Sequence, residues 1–159
     1  MNHSKQLAKN FRDLHFGPNF VGSSLKEALE GVDWEQATTR VRELNTIAML
    51  VFHINYYVSA VIKVLKGGPL DAHDKYSYDM PDLRSEADWQ KMLDKTWSEA
   101  EEFTSLVEKL SEEQLKELMA DEKYGNWFRN LLGVQEHSYY HLGQIVLIKK
   151  MIQYRPLMV

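Results

Sequence analysis

Three histidines stand in segments where most neighbouring side chains are apolar. His137 and His141 are four residues apart in a helical pattern, so both side chains lie on one face of a helix, one turn apart. His53 lies within Leu44 to Ile62, a stretch without Asp, Glu, Lys or Arg. Two imidazoles one turn apart reach one divalent ion at about 2.0–2.1 Å, and a third from a facing helix completes a three-nitrogen site. Such a site leaves open positions for water or substrate, as catalytic metal sites do.

The spacing alone leaves two interpretations open, namely metal ligands and histidines hydrogen-bonded within a core. A di-iron carboxylate bundle needs Glu-x-x-His pairs, and the positions three residues before the helical pair are Val134 and Ser138. The chain has no cysteine, which excludes thiolate ligands, disulfides and a Cys nucleophile. Nucleophile-elbow, P-loop and dinucleotide fingerprints are absent. The remaining histidines, His3, His15 and His73, are expected on the surface.

Two further residues are candidates for the surroundings of the site. Gln144 follows His141 by three residues, so it either fixes a ligand ring or a bound water, or faces a neighbouring helix. Tyr57 follows His53 by one turn and either lines the pocket or belongs to the core. No carboxylate is placed beside the three imidazoles by spacing, so no catalytic residue is assigned.

Helical periodicity dominates the chain and predicts an all-α four-helix bundle in a single domain over residues 1–159. Short helices are expected over Leu25–Glu30, Trp34–Thr39 and Ser111–Met119. The long helices are predicted over Ser4–His15, from Asn45 or Thr46 to Lys66, from the Ser85 cap to Leu110, and over Asn126–Ile152. Gly67 to Arg84 is a long connection, and loops of this length commonly cover or line a site.

Composition narrows the class of protein. The 159 residues carry a net charge of −4, which argues against a nucleic-acid partner, since such proteins normally show a clustered basic surface. The uncharged stretch around His53 holds five polar side chains, which favours a buried protein helix over a membrane span. The first residues lack the apolar core of a secretory signal, so we expect a cytoplasmic protein without a membrane partner.

Three segments carry a resemblance to a known family. Gly133 to Ile145 (GVQEHSYYHLGQI) resembles the fourth-helix signature of the DinB/YfiT-like metalloenzymes, in which His-x-x-x-His is followed by Gly-Gln-Ile. Leu50 to Ile54 is similar to the segment of the second helix that bears the remaining ligand of that family. Ser85 to Trp89 resembles a common opening of its third helix. The likeness extends roughly from Leu44 to Lys150.

The resemblance implies an up-down-down-up bundle, usually a homodimer, that binds Zn, Ni or a similar divalent ion through His53, His137 and His141. A dimer also agrees with the second long helix, which is apolar around most of its circumference. Relatives in the DinB superfamily include S-transferases and isomerases that use bacillithiol, mycothiol or glutathione, which implies a small-molecule substrate and a low-molecular-weight thiol. A metal-dependent hydrolase would use the same ligands. The alternative to an enzyme is a non-catalytic dimeric stress-response or ligand-binding bundle.

Overall fold

The computed structural model describes residues 2–154, and in that range the chain is all-α, as predicted. The single domain was predicted over residues 1–159, and residue 1 and residues 155–159 lie outside the described range. Short 3-10 segments occupy Asp74–Tyr76, Gln114–Lys116 and Glu122–Tyr124. The six α-helices are α1 (His3–Phe16), α2 (Leu25–Leu29), α3 (Trp34–Thr38), α4 (Ile47–Leu65), α5 (Glu86–Glu108) and α6 (Trp127–Gln153).

Side-chain caps define where the long helices begin. Thr46 accepts a hydrogen bond from the Met49 amide at the start of α4, and Ser85 accepts one from the Asp88 amide at the start of α5. Asn126 caps α6 in the same way. Each cap satisfies an amide that has no partner within its own helix. The predicted starts of these helices are therefore confirmed.

The prediction of a helix over Ser111–Met119 is wrong, because in this segment Gln114–Lys116 form a 3-10 turn and no α-helix forms. The capping pair of Ser111 and Gln114 does form, but the backbone becomes extended at Glu117. The Glu117 carbonyl then accepts from the Trp127 amide at 2.9 Å. Hydrogen bonds to the chain just before α6 replace those that a longer helix would have made.

The four long helices pack around a shared apolar core. Phe11 contacts Phe103, and Phe16 contacts Trp97 nearer the start of α5, so α1 and α5 are antiparallel. The first half of α4 packs with the first half of α5, and the second halves pack together, so these two helices are parallel. The second half of α4 packs near Leu131, at the start of α6, which makes α4 and α6 antiparallel.

Two buried side chains in this core, His15 and Trp89, each make a hydrogen bond to a backbone carbonyl. His15, expected on the surface, is fully buried: its Nδ1 lies 3.1 Å from the Phe11 carbonyl and its ring packs on the Phe11 ring. The periodic pattern ended at this residue, and only the packing of α1 on its neighbours encloses it. Trp89 is also fully buried, and its indole donates to the Val32 carbonyl at 2.8 Å, which ties α5 to the segment after α2.

Among the described residues, α4 is the one helix with the length and apolar composition of a membrane span. Within its most apolar window, 56% of the residues are buried against the rest of the protein. The helix contacts α3, α5 and α6. A core helix of a bundle can have the same length and apolar composition as a membrane span. The packing of α4 agrees with the buried helix expected from its polar residues.

Candidate metal centre

The structure brings the three histidines of the predicted site together between α4 and α6. The Nε2 atoms of His53 and His137 lie 2.9 Å apart, and those of His137 and His141 lie 3.1 Å apart. One ring nitrogen from each residue falls within 4.8 Å of the other two. His137 and His141 share a face because they are one turn apart, and the antiparallel packing of α4 brings His53 to that face.

Hydrogen bonds on the outer side of two rings determine which nitrogen carries the proton. His53 Nδ1 lies 3.2 Å from the Ser77 carbonyl, which can only accept, so the proton of the neutral ring is on Nδ1. His141 Nδ1 lies 2.7 Å from the Gln144 amide oxygen, which likewise requires an Nδ1 proton. Both Nε2 atoms therefore present lone pairs toward His137 Nε2.

The two ring nitrogens of His137 are not both satisfied by hydrogen bonds to residues 2–154. Its Nδ1 is buried without a partner among residues 2–154, and its Nε2 faces two lone pairs but carries at most one proton. Three nitrogens at about 2.1 Å from one ion, with angles of 90–109°, would be about 3.0–3.4 Å apart. The two Nε2 separations of 2.9 and 3.1 Å, with all three nitrogens within 4.8 Å of one another, therefore agree with a divalent metal ion bound by His53, His137 and His141.

Burial keeps His53 and His137 in the form that binds metal. Burial lowers the pKa of His137 to about 4, with smaller contributions from the proximity of His141 and His53. Burial also lowers the pKa of His53, and the nearby His141 lowers it further. Because the charged form is disfavoured, both imidazoles are neutral near pH 7 and keep a free lone pair.

Two tyrosines enclose the histidines. Tyr78 stacks flat on His53, with ring centroids 4.0 Å apart and an angle of 6° between the planes. Tyr57 meets His137 edge-on, with ring centroids 5.0 Å apart, and so lies beside the histidines. Its hydroxyl donates to Asp74 at 2.7 Å, and burial raises the pKa of Tyr57 to about 12. The hydroxyl therefore stays protonated at neutral pH.

The connection between α4 and α5 covers one side of the site, as its length predicted. It supplies the Ser77 carbonyl, the Tyr78 ring and the Asp74 carboxylate. Sequence reasoning missed all three as individual residues, because a loop has no periodicity that assigns a side chain to a face. Gln144, which the sequence singled out, has its amide oxygen 2.7 Å from His141 Nδ1.

A cavity of about 1060 Å³ opens beside His137. Its walls come from α4, the loop after it, the segment before α6 and the first turns of α6, including Tyr57, Val61, Leu70, Met119 and Val134. A cavity of this size accommodates a small organic molecule next to a metal ion at the histidines.

Comparison of the chain with known proteins finds no matching family model, curated protein or solved structure.

Proposed function

We propose that the protein is a metal-dependent enzyme whose divalent ion, Zn or Ni, is bound by His53, His137 and His141. The observation that carries this proposal is the convergence of three Nε2 atoms at the edge of a cavity large enough for a substrate. When bound, such an ion supplies Lewis-acid activation of a thiol, a carbonyl or water. Zn and Ni suit a site of imidazole nitrogens because borderline cations prefer these donors.

The family proposed for this chain is the DinB superfamily. Support comes from the fourth-helix segment Gly133–Ile145 and from the helix directions. An antiparallel α1–α5 pair, a parallel α4–α5 pair and an antiparallel α4–α6 pair together agree with an up-down-down-up order. The site residues in this proposal are the three histidines, with Gln144 orienting His141.

The reaction that we assign is transfer of a low-molecular-weight thiol to an electrophilic small molecule. The thiol sulfur forms a bond to the electrophilic carbon, the leaving group departs with its bonding pair, and the thiol proton passes to solvent. The chain has no cysteine, so the nucleophilic sulfur comes from the co-substrate. Ser77 and Gln144 hold the ligand rings in position, while Tyr57 and Tyr78 restrict the access of water to them.

The proposal is tested with protein purified without a polyhistidine tag. Elemental analysis is expected to find about one equivalent of a divalent transition metal per chain, as three converging imidazoles require. The loaded protein is then incubated with bacillithiol, mycothiol or glutathione and monochlorobimane, and adduct formation is followed by fluorescence. His137→Ala is expected to abolish the metal-dependent rate, whereas His3→Ala, an exposed histidine outside the site, is expected to retain it.

Two results separate the alternatives. A metal-loaded protein that gives no adduct with any of the three thiols, but hydrolyses activated esters, would replace S-transfer by hydrolysis. A protein that binds no metal even after reconstitution would overturn the enzyme proposal and leave a non-catalytic helical bundle.

The protein is also proposed to form a homodimer. Tyr140, Leu147 and Met151 lie at positions i, i+7 and i+11 of α6, so they form one stripe, and all three are exposed in the single chain. Exposed apolar stripes of this kind mark interfaces in helical proteins. Sedimentation at micromolar concentration is expected to give twice the chain mass, and Leu147→Glu is expected to give the monomer. A wild-type protein that sediments as a monomer would refute the dimer.

A further inference from the structure

The cavity beside His137 changes in character from its floor to its rim. Its floor contains the buried side chains of Ala60, Val61 and Met119, which are apolar. Its rim contains exposed side chains with positive charge, namely Lys75, Lys123 and Arg129. A molecule that fills this cavity places its apolar part on the floor and meets cations near solvent.

The two rim lysines are free to bind an anion. Lys75 lies over the Tyr76 ring at 4.5 Å and Lys123 over the Tyr124 ring at 4.7 Å. Within residues 2–154, neither ammonium group has a carboxylate at ion-pair distance, whereas Arg129 pairs with Glu136 at 3.1 Å.

The lining also contains two carboxylates, which limit its positive charge. Asp74 accepts the Tyr57 hydroxyl on the side of the cavity near the histidines. Glu122 lies in the same short turn as Lys123. Because Arg129 is paired with Glu136 and Asp74 is hydrogen-bonded to Tyr57, the charged lining side chains without such a partner among residues 2–154 are Lys75, Lys123 and Glu122.

Helix α6 sets the length of the ligand that would bridge the rim and the metal site. Arg129, Val134 and His137 all line the cavity from this helix. Eight residues separate Arg129 from His137, which corresponds to a rise of about 12 Å. A molecule that extends from the level of Arg129 at the rim to the level of the histidines therefore spans about 12 Å.

We infer that the substrate is an amphipathic organic carboxylate, with its anionic group at the rim beside Lys75 or Lys123 and its apolar body extending toward His137. The inference rests on the proposed function, because it identifies the electrophile that the metal site would act on. A carboxylate beside a lysine ammonium group forms a charge-assisted hydrogen bond, which an alcohol of the same shape does not form. An ammonium ligand would meet the like charge of the two lysines, which Glu122 offsets only in part.

The test uses three ligands that differ only in their head group, namely 4-phenylbutyrate, 4-phenylbutanol and 4-phenylbutylammonium. Binding is measured by calorimetry, and the position of binding by backbone amide shifts, on both metal-free and Zn-loaded protein. Metal-free protein removes any preference that comes from a carboxylate on the ion. We expect the carboxylate to bind about tenfold more tightly than the alcohol, with shifts in the residues around the cavity.

Two charge-matched variants show where this preference originates. Lys75→Gln/Lys123→Gln is expected to make the carboxylate bind no more tightly than the alcohol and to leave alcohol binding unchanged. Lys5→Gln/Lys91→Gln removes the same charge from exposed positions on α1 and α5 and is expected to keep the preference. Equal binding of alcohol and carboxylate, an equal loss in the control variant, or shifts away from the cavity would each overturn the inference.

Elemental analysis of the same samples separates this inference from the proposed function. One metal equivalent per chain without a carboxylate preference would refute the inference and leave the metal site standing. A carboxylate preference that depends on the rim lysines, in a protein that binds no metal, would refute the proposed function and leave an anion-binding cavity.

Discussion

The Nε2 atoms of His53 and His137 lie 2.9 Å apart, although 84 residues separate the two histidines in the chain. The outer nitrogen of His53 donates a hydrogen bond to the Ser77 carbonyl, so its inner nitrogen presents a lone pair. His141 Nε2 presents a second lone pair to the same His137 nitrogen at 3.1 Å, and one proton on that nitrogen serves only one of the two contacts, whereas a cation would join all three nitrogens. This relationship is the basis of the metal-binding predictions.

Replacement of His137 by alanine is expected to reduce metal content from about one equivalent to near zero, because two imidazoles remain where three are needed. The fold should persist, since the ring already leaves Nδ1 without a partner and the bundle has its own core. Elemental analysis and circular dichroism measure the two effects, with His3→Ala as the control. A large loss of stability in metal-free protein would indicate a structural histidine instead.

A second prediction concerns the effect of the contact between Gln144 and His141 on metal affinity. Gln144→Leu removes the acceptor that fixes the His141 tautomer and is expected to weaken metal binding about 10–100-fold. Gln144→Glu keeps an oxygen at this position and is expected to retain most of the affinity. Competition with a chromophoric zinc chelator measures both constants. Equal affinities in the wild type and the leucine variant would show that Gln144 does not orient the ring.

Burial of His15 predicts a pH dependence of stability. Burial lowers its pKa from 6.5 to about 4, so between these values the unfolded chain binds the proton and the folded chain does not. Above about pH 6.5 both states leave this ring neutral, so His15 does not reduce the free energy of unfolding. As the pH drops from 6.5 toward 4, protonation of His15 in the unfolded chain should lower the free energy of unfolding by about 3 kcal/mol.

Urea unfolding at several pH values tests this expectation. His15→Leu should show a smaller loss of stability between pH 6.5 and 4 than the wild type, whereas His73→Leu, at an exposed loop position, should show the wild-type loss. Parallel curves for the wild type and His15→Leu would mean that this histidine does not contribute.

The hydrogen bond from the Trp89 indole to the Val32 carbonyl links α5 to the segment after α2, and its loss should lower the free energy of unfolding. Trp89→Phe leaves the Val32 carbonyl without its donor and creates a void, so a loss of about 3 kcal/mol in the free energy of unfolding is expected. Trp97→Phe is the matched control, since Trp97 is only half-buried, and about 1 kcal/mol is expected there. Similar losses at both positions would show that the indole hydrogen bond contributes little.

The sequence by itself determined where the long helices run and which histidines share a face. Helix caps such as Thr46 and Ser85 act within one turn, and the spacing of His137 and His141 is fixed by the pitch of the helix. These features depend on neighbours only a few residues away, so a pattern in the chain is enough to predict them.

Tertiary structure decided the features that depend on distant neighbours. It buried His15, turned residues 111–119 away from a helix, and brought Ser77 and Tyr78 against His53. Loops have no periodicity, and the burial of a helix end depends on which other helices pack over it. The physical reason is that hydrogen bonds within a helix are local, whereas the contacts that close a site join segments far apart in the chain, and only the packed bundle brings them together.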